Sequence, residues 1–262
     1  MEPTNGPIHG QAAQPFWHLG IPSCQPVNEP VNQPMKTLAI DTSLPTGFVA
    51  AIDGDRIAVQ TLPTAGEHAR LLAAAIAAVT AELGWRPAST ELVAVVRGPG
   101  SFTGLRVGVT AAKALCWVTG SRLVSVSSCE VIARSTAAAV GRHDTAVHVA
   151  FDAGRGEVFA TVVVPDPQSS TGWHIEPGML AAAPAWLASL SPGSIVSGPG
   201  LAILVESLGS RPDILVAPPA AWTPAIAEIG RVALLRAAAG EADDPATLVP
   251  DYIRLSYADE KR

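Results

Sequence analysis

From residue 35 onward, short apolar runs alternate with longer segments in which apolar residues recur three and four positions apart. Such runs are typical of strands, and the longer segments are typical of amphipathic helices. Asp53-Gly54-Asp55 separates two of the runs and is a hairpin turn signal. The first half of the chain therefore predicts strands at 36–40, 47–52, 56–62, 92–96 and 123–126 and helices at 66–84, 101–119 and 129–139.

The second half begins with a pattern similar to that of the first. An apolar strand ends at Asp152, and small residues and a second apolar strand follow it, just as they follow Asp41. This faint repeat favours two lobes built on one hairpin plan, at residues 35–142 and 143–262. Later segments predict strands at 147–152, 157–164, 194–197 and 214–217 and helices at 185–190, 201–208 and 224–239. Hairpins combined with strand–helix units predict an α/β protein in which helices cover mixed sheets.

Residues 1–34 differ from the rest of the chain. They are rich in Pro, Gln and Asn and show no periodicity. Such a segment buries too little apolar surface to offset its ordering entropy, so we expect a disordered N-terminal extension. Two interpretations stay open: translation that begins at Met35, or an arm that binds a partner.

Composition limits the classes of function. The 262 residues are 48% hydrophobic and 15% charged, with a net charge of −6. A protein that binds RNA mainly by itself usually carries a basic stripe, so we expect any RNA contact to be supplied by a partner. Cys24, Cys116 and Cys129 form no CxxC pair and are interpreted as reduced thiols. Without a spanning segment or a signal-peptide pattern, we expect a cytoplasmic protein that does not bind membranes.

The glycine-rich segment 97–108 lies between a predicted strand and a predicted helix. Gly98 and Gly100 permit tight turns, and Ser101 is a natural N-cap. A helix start after such a turn can bind an anion, but a well-capped turn without a ligand fits equally well. Asp41 could likewise contact a phosphate, but an Asx turn between two strands is common and would explain the same residues. The candidate nucleotide or phosphate contacts are Asp41, Thr42, Ser43, Gly98, Gly100, Gly198 and Gly200.

The helix that follows this turn carries a stripe of small residues. Glycine inside a helix costs roughly 1 kcal/mol relative to alanine, a cost usually offset by close packing of another backbone. That backbone belongs either to the lobe's own sheet or to a second subunit. The stripe comprises Gly104, Gly108, Ala111, Ala112 and Leu115.

A search for catalytic constellations finds none that is complete. The six histidines form neither HExxH nor HxxxH, and no GxSxG elbow occurs. His68 lies in the first turn of a predicted helix, where we expect it to be solvated. We therefore predict no catalytic residue and no metal site.

The segment GPGSFTGLRVG at residues 98–108 resembles the hallmark of the TsaB (YeaZ) family. Similarity extends to LAIDTS at 38–43, DAGRGEVF at 152–159 and the PDYIR tail at 250–254. The resemblance implies an actin-like (RNase H-like, ASKHA) fold in each lobe. It also implies partnership with a TsaD-like catalytic subunit and a TsaE-like ATPase in forming tRNA N6-threonylcarbamoyladenosine (t6A). Contact with tRNA would be indirect, the chain alone would form a homodimer, and ATP or ADP would bind only in the complex.

In the catalytic relatives, an HxxxH pair binds the metal. The positions that match it here are Ser128 and Ile132, which cannot supply imidazole. The resemblance therefore implies a non-catalytic subunit whose partner face is formed by the two helices that begin near residues 66 and 101. Its expected contacts are Ser101, Phe102, Thr103, Gly104, Arg106, Gly108, Ala111, Ala112, Leu115, Leu72 and Ile76.

Three alternatives remain. A stand-alone ATP-dependent kinase of the same superfamily would use Asp41 and Asp152 with the Gly198 turn, although neither aspartate has a lysine or a second phosphate-loop glycine cluster nearby. A glycoprotease-type protein would be inactive without the histidine pair and could act as a scaffold. A homodimeric scaffold for an unrelated partner is the third.

Overall fold

The computed structural model describes residues 35–252, apart from the side chain of Ala65. The predicted disordered extension at 1–34, Cys24 and the end of the PDYIR segment therefore lie outside the described residues. None of the helices within 35–252 is long and apolar enough to cross a membrane.

The first lobe contains a five-stranded mixed sheet in the order β3-β2-β1-β4-β5. Its strands are β1 (Thr37–Asp41), β2 (Gly47–Asp53), β3 (Arg56–Leu62), β4 (Leu92–Gly98) and β5 (Arg122–Ser127). Its helices are α1 (His68–Glu82), α2 (Phe102–Thr119) and α3 (Ser128–Val140). β1, β2 and β3 form an antiparallel meander, while β4 and β5 run parallel to β1.

The second lobe contains a six-stranded sheet in the order β11-β10-β6-β7-β8, and β9 also pairs with β7. Its strands are β6 (Val147–Gly154), β7 (Glu157–Pro165), β8 (Trp173–Ile175), β9 (Met179–Ala182), β10 (Ile195–Ser197) and β11 (Leu215–Val216). The helices are α4 (Ala183–Ser189), α5 (Val205–Leu208) and α6 (Ile226–Ala238).

The two sheets share one plan. β1 lies between the antiparallel β2 and the parallel β4, and β6 lies between the antiparallel β7 and the parallel β10. This arrangement confirms the predicted mixed sheets with flanking helices. β8 (WHI) and β9 (MLAA) were not predicted, because they lack the run of aliphatic and β-branched residues that marks the equally short β10 and β11.

Alternation along β1 divides the core of the first lobe into two layers. Leu38 and Ile40 pack on one side of the sheet with apolar residues of α1 and α2. Ala39 points to the other side, where it meets Ile229 and Ala233 of α6. Since both sides are covered, β1 and β4 are buried at nearly every position.

Helix α6 lies within residues 143–262 but packs on the first sheet. Gly230 lies at this contact, where an added methyl group would lie 2.1 Å from Ile52 Cδ1. The two lobes predicted from the sequence did not include this packing of α6 on the first sheet. Periodicity shows which face of a helix is apolar, but it does not show which sheet that face contacts. The predicted boundary between 142 and 143 stays a prediction.

Helix α3 joins the lobes. Cys129, Ile132 and Ala133 pack in one cluster with apolar residues of β6, β7 and β10. Arg134 forms a largely buried ion pair of 2.5 Å with Glu228 of α6 and also donates to the Thr171 carbonyl of the second lobe. Thr136 Oγ1 lies 2.8 Å from Ser197 Oγ of β10. The two lobes are therefore connected by both apolar and polar contacts.

Candidate functional site

The turn before α2 is locked to the loop after β1. Ser101 N donates to Ser43 O over 2.7 Å, and Thr42 Oγ1 donates to Gly104 O over 2.6 Å. Ser101 also caps α2, as predicted, because its Oγ accepts from Gly104 N. The loop itself is closed by an Asx turn, in which Ser43 N donates to Asp41 Oδ1 over 2.8 Å. The two glycine- and serine-rich segments therefore form one packed unit.

The glycines of α2 make this packing possible. A methyl group at Gly104 would lie 2.0 Å from Thr42 O, and one at Gly108 would lie 2.5 Å from Thr42 Oγ1. Both distances are far below a van der Waals contact. At Gly104 and Gly108 the stripe accommodates the lobe's own loop after β1, where the sequence suggested the lobe's sheet or a second subunit. Gly104 and Gly108 are buried inside the lobe, so their predicted role as partner contacts is wrong.

The predicted nucleotide contacts are also part of internal packing. Asp41, Thr42 and Ser43 are 2%, 2% and 0% exposed. Methyl groups at Gly98 and Gly198 would meet backbone oxygens of Asp251 and Ala150, and one at Gly100 would meet Ser43 O. Gly200 is similarly crowded by the backbone of Ala150 and Phe151. In this structure these residues contact neighbouring backbone, as in the capped turn that the sequence left open, and their role in binding a nucleotide stays a prediction.

α1 and α2 pack side by side on the first sheet, with their outer sides exposed. Of the predicted partner contacts, Ser101, Thr103 and Arg106 are exposed, whereas Phe102, Ala111, Leu115 and Ile76 are partly buried. Leu72 and Ala112 are buried in the core, which excludes them from direct contact with a partner. The corrected face retains the outer positions of both helices.

The structure adds two large apolar side chains to this face. Trp117 and Val118 at the end of α2 are 77% and 85% exposed. The core positions of α2 are Leu105, Val109, Ala112 and Cys116. Trp117 and Val118 fall outside this spacing, a signal that could have identified them from the sequence. Exposed aromatic residues are enriched among the residues that dominate binding energy at interfaces.

Asp251 and Tyr252 lie over the start of α2. Arg106 Nε donates to Tyr252 Oη over 2.9 Å, and its guanidinium lies 3.9 Å from the centre of the Phe102 ring. Asp251 N donates to Arg97 O, and its carboxylate pairs with the Arg97 guanidinium at 2.9 Å. Phe102 and Arg106 are therefore held in place by the chain's own tail.

His68 is fully buried, which corrects the expectation that it is solvated. Its ring lies against Gly47, beside Asp41. Neither ring nitrogen has a hydrogen-bond partner among the described residues. Burial raises the pKa of the Asp41 carboxyl, outweighing the lowering effects of Ser43 and His68. The sequence could have predicted this burial, because His68 lies on the same helix face as the buried residues Leu72, Ala75 and Val79.

Ser128 and Ile132, which the resemblance matches to the histidine pair expected in the catalytic relatives, lie in α3. Ser128 is buried and donates from Oγ to Pro99 O over 2.8 Å. Ile132 is part of the apolar cluster between the lobes. Within residues 35–252, no three His, Cys, Asp or Glu side chains converge as a metal site would require. These two positions serve packing.

Two open cavities lie near Arg97. One of about 330 Å³ lies between the lobes, and its lining includes Cys129, Phe159 and Tyr252. Burial raises the pKa of the Cys129 thiol to about 12, so this thiol is a poor nucleophile at neutral pH. The second, of about 380 Å³, is bordered by Arg236 and Asp243. Neither contains Asp41 or the glycines assigned to phosphate binding.

Sequence comparisons find similarity to proteins named for the threonylcarbamoylation of tRNA. The sequence pattern described as "TsaD: tRNA N6-adenosine threonylcarbamoyltransferase" matches residues 62–165. The tRNA threonylcarbamoyladenosine biosynthesis protein TsaB of Bacillus subtilis (strain 168) is 35% identical over 127 residues. This alignment covers 48% of the chain and 53% of the relative, so the chain spans about half the length of the curated relative that it matches.

Solved structures extend the likeness to the fold. YeaZ from Pseudomonas aeruginosa superposes with a TM-score of 0.67 at 23% identity, covering 84% of this chain and all of that one. A second structure, of an uncharacterized protein from Pseudomonas aeruginosa with similarity to peptidase YeaZ, gives a TM-score of 0.66 at 23% identity with the same coverage. The two-lobed fold is thus shared over most of the described chain.

Proposed function

We propose that this chain belongs to the TsaB (YeaZ) family and is the non-catalytic partner subunit of a tRNA N6-threonylcarbamoyladenosine transferase. In this proposal, a TsaD-like subunit performs the transfer to the adenosine beside the anticodon. Similarity to the Bacillus subtilis protein, which is named for this biosynthesis, supports the assignment.

The non-catalytic role rests on one observation. Where the catalytic relatives carry HxxxH, this chain has Ser128, bonded to the Pro99 carbonyl, and Ile132, buried between the lobes. A serine already bonded and an isoleucine cannot hold a catalytic metal ion. We therefore derive no metal-dependent step for this chain. A stand-alone kinase is disfavoured as well, because Asp41 is closed off by the turn before α2.

The supporting role is assigned to the outer side of α1 and α2. It presents Arg106, Ala114, Trp117 and Val118 to solvent, a mixture typical of interfaces with a few large apolar contacts. The same face would join two copies of the chain when the catalytic subunit is missing. Binding to the folded state would also stabilise both proteins by mass action.

The rest of the assembly follows from the family. A TsaE-like ATPase completes it, ATP or ADP binds only in the complex, and tRNA is contacted mainly by the other subunits in the cytoplasm. The net charge of −6 supports this division, since the chain lacks the basic balance of a protein that binds RNA alone.

Reconstituted tRNA modification tests the proposal. The reaction contains unmodified tRNA, threonylcarbamoyl-adenylate synthase, the TsaD-like subunit and the TsaE-like ATPase, with or without this chain. We expect formation of t6A to depend on the chain, and we expect the chain without the TsaD-like subunit to form none. Modification at full rate without the chain would overturn the proposal.

A further inference from the structure

Helix α2 carries two cations and no carboxylate, although the chain as a whole has a net charge of −6. The cations are Arg106 and Lys113. Lys113 Nζ donates to the carbonyl oxygens of Ala246 and Leu248 over 3.4 and 3.1 Å, and these neutral acceptors leave its charge uncompensated. The described contacts of Arg106 are also to neutral groups. The outer side of α2 is therefore basic in an acidic protein.

Arg106 is held in place by two aromatic rings. Its guanidinium lies 3.9 Å from the centre of the Phe102 ring and 5.7 Å from the centre of the Tyr252 ring, and Nε donates to Tyr252 Oη over 2.9 Å. These contacts reduce the side-chain entropy that Arg106 would lose on binding. The two terminal nitrogens have no hydrogen-bond partner among the described residues, so they can donate to both oxygens of one carboxylate.

Arg106 and Trp117 lie along one line of α2. Eleven positions separate them, which in an α-helix is three turns and a rotation of about 20°. The same spacing places their α-carbons about 16 Å apart along the helix axis. Arg106 is exposed, and Trp117 is 77% exposed. A partner surface that fits this side of α2 therefore presents an anionic group and an apolar pocket about 16 Å apart.

The residues beyond Arg106 favour a protein carboxylate over a phosphate of RNA. A surface that binds RNA by itself carries several cations along the path of the backbone. Here the exposed residues farther along α2 are neutral, namely Thr110, Ala114, Trp117 and Val118. One fixed arginine beside large apolar side chains is typical of an interface between proteins.

We propose that Arg106 binds an aspartate or glutamate side chain of the TsaD-like subunit, while Trp117 fills an apolar pocket of the same subunit. The carboxylate accepts from the planar pair of N–H donors and neutralises a charge that α2 leaves uncompensated. Tyr252 is a positioning residue, because it orients the guanidinium through its hydroxyl and its ring. This inference rests on the proposed function and names the chemistry by which the partner is recognised.

Binding of the TsaD-like subunit at several salt concentrations tests this contact. We expect Arg106→Ala to weaken binding by about tenfold or more at low salt, as for other arginines at the centre of an interface. The variant should also lose part of the wild-type salt dependence, because added ions screen the charge that it lacks. Equal affinity and equal salt dependence of Arg106→Ala and the wild type would overturn the proposal.

Arg142→Ala is the matched control for the change in net charge. Arg142 is exposed just beyond the end of α3, so its loss should leave both the affinity and the salt dependence at the wild-type level. Failure of the wild type to bind the TsaD-like subunit at any salt concentration would contradict the proposed function itself. Wild-type binding by Arg106→Ala with a loss of tRNA modification would instead assign the guanidinium to a phosphate and overturn the carboxylate contact.

Two conservative variants separate charge from position. Tyr252→Phe keeps the ring but removes the acceptor of the Nε bond, so we expect weaker binding with an unchanged salt dependence. Wild-type affinity of this variant would contradict the positioning role. Arg106→Lys keeps the charge but lacks the planar pair of donors, so we expect the salt dependence to persist while the affinity falls. Wild-type affinity of Arg106→Lys would contradict the two-oxygen contact.

Carbodiimide coupling of the Arg106→Lys complex identifies the group that is bound. The reagent joins an amine to a carboxylate in direct contact, so peptide mass spectrometry should find position 106 linked to an aspartate or glutamate of the TsaD-like subunit. A complex that forms without this link would overturn the proposal. A link to a second copy of this chain would assign the contact to the homodimer and would also overturn it.

Discussion

At the scale of single residues, the glycine motif serves internal packing. Gly100, Gly104 and Gly108 allow the start of α2 to approach the loop after β1 more closely than any side chain would permit. The segment predicted either an anion site or a capped turn, and the structure selects the capped turn. The physical reason is that two N–H groups at this helix start already have acceptors within the lobe, since Ser101 N donates to Ser43 O and Gly104 N donates to Ser101 Oγ.

Substitution of Gly104 by alanine tests this packing. The added methyl group would collide with Thr42 O, so we expect the free energy of unfolding to fall by roughly 2–3 kcal/mol, as is usual for overpacking. Gly66→Ala is the control, because a methyl group there meets nothing within 4 Å. Urea denaturation measures both variants. A Gly104→Ala protein as stable as the Gly66→Ala protein would show that the helix and loop can separate without cost.

A second prediction concerns the thiol between the lobes. With a pKa of about 12, Cys129 stays protonated in the folded protein. We expect iodoacetamide at pH 8 to leave it unmodified in the native state and to alkylate it in urea, as peptide mass spectrometry would show. Because the folded pKa is raised, the thiol's contribution to stability is lost as the pH rises from about 9 toward about 12. Rapid native alkylation would contradict the described burial.

At the scale of elements, helix α3 decides how the lobes are joined. Its apolar residues pack against the second sheet, and Arg134 pairs with Glu228 of α6 while donating to the Thr171 carbonyl. Three elements from different parts of the chain therefore meet at one guanidinium. α3 also carries Ser128 and Ile132, so the two positions that the resemblance matches to a histidine pair belong to this junction.

Removing one partner of a largely buried ion pair leaves the other charge uncompensated. We therefore expect Arg134→Ala to lower the free energy of unfolding by about 3 kcal/mol. Arg142→Ala provides the comparison, because Arg142 is exposed just beyond the end of α3. Thermal or urea unfolding distinguishes the two variants. Equal stability of the two variants would mean that the junction is held by apolar contacts alone.

Secondary structure was largely predictable, because strands and helices of the first lobe carry clear periodicities. The sequence could not show which element each apolar face or small-residue stripe packs against. Gly104 and Gly108 indicate close packing, but the same stripe would suit a loop or another subunit. The apolar face of α6 likewise does not reveal that it covers the first sheet. These choices depend on contacts between distant residues, on which local patterns carry no information.

At the scale of the whole molecule, the loop after β1 could serve either to bind a ligand or to support the helices packed on it. The loop after β1 was a candidate for binding phosphate, yet here it supports the helices of an exposed face. The cavities near Arg97 are lined by other residues. The central claim is therefore that this chain acts through the outer side of α1 and α2, by binding a catalytic subunit.

Size-exclusion chromatography of the chain with the TsaD-like subunit tests this claim most directly. Ala114→Arg places a charged side chain on the exposed side of α2, and Ala188→Arg places the same side chain on exposed α4 of the second lobe. We predict that the wild type and Ala188→Arg co-elute with the TsaD-like subunit, while Ala114→Arg elutes separately with an unchanged circular dichroism spectrum. Co-elution of Ala114→Arg at the wild-type level would contradict the account.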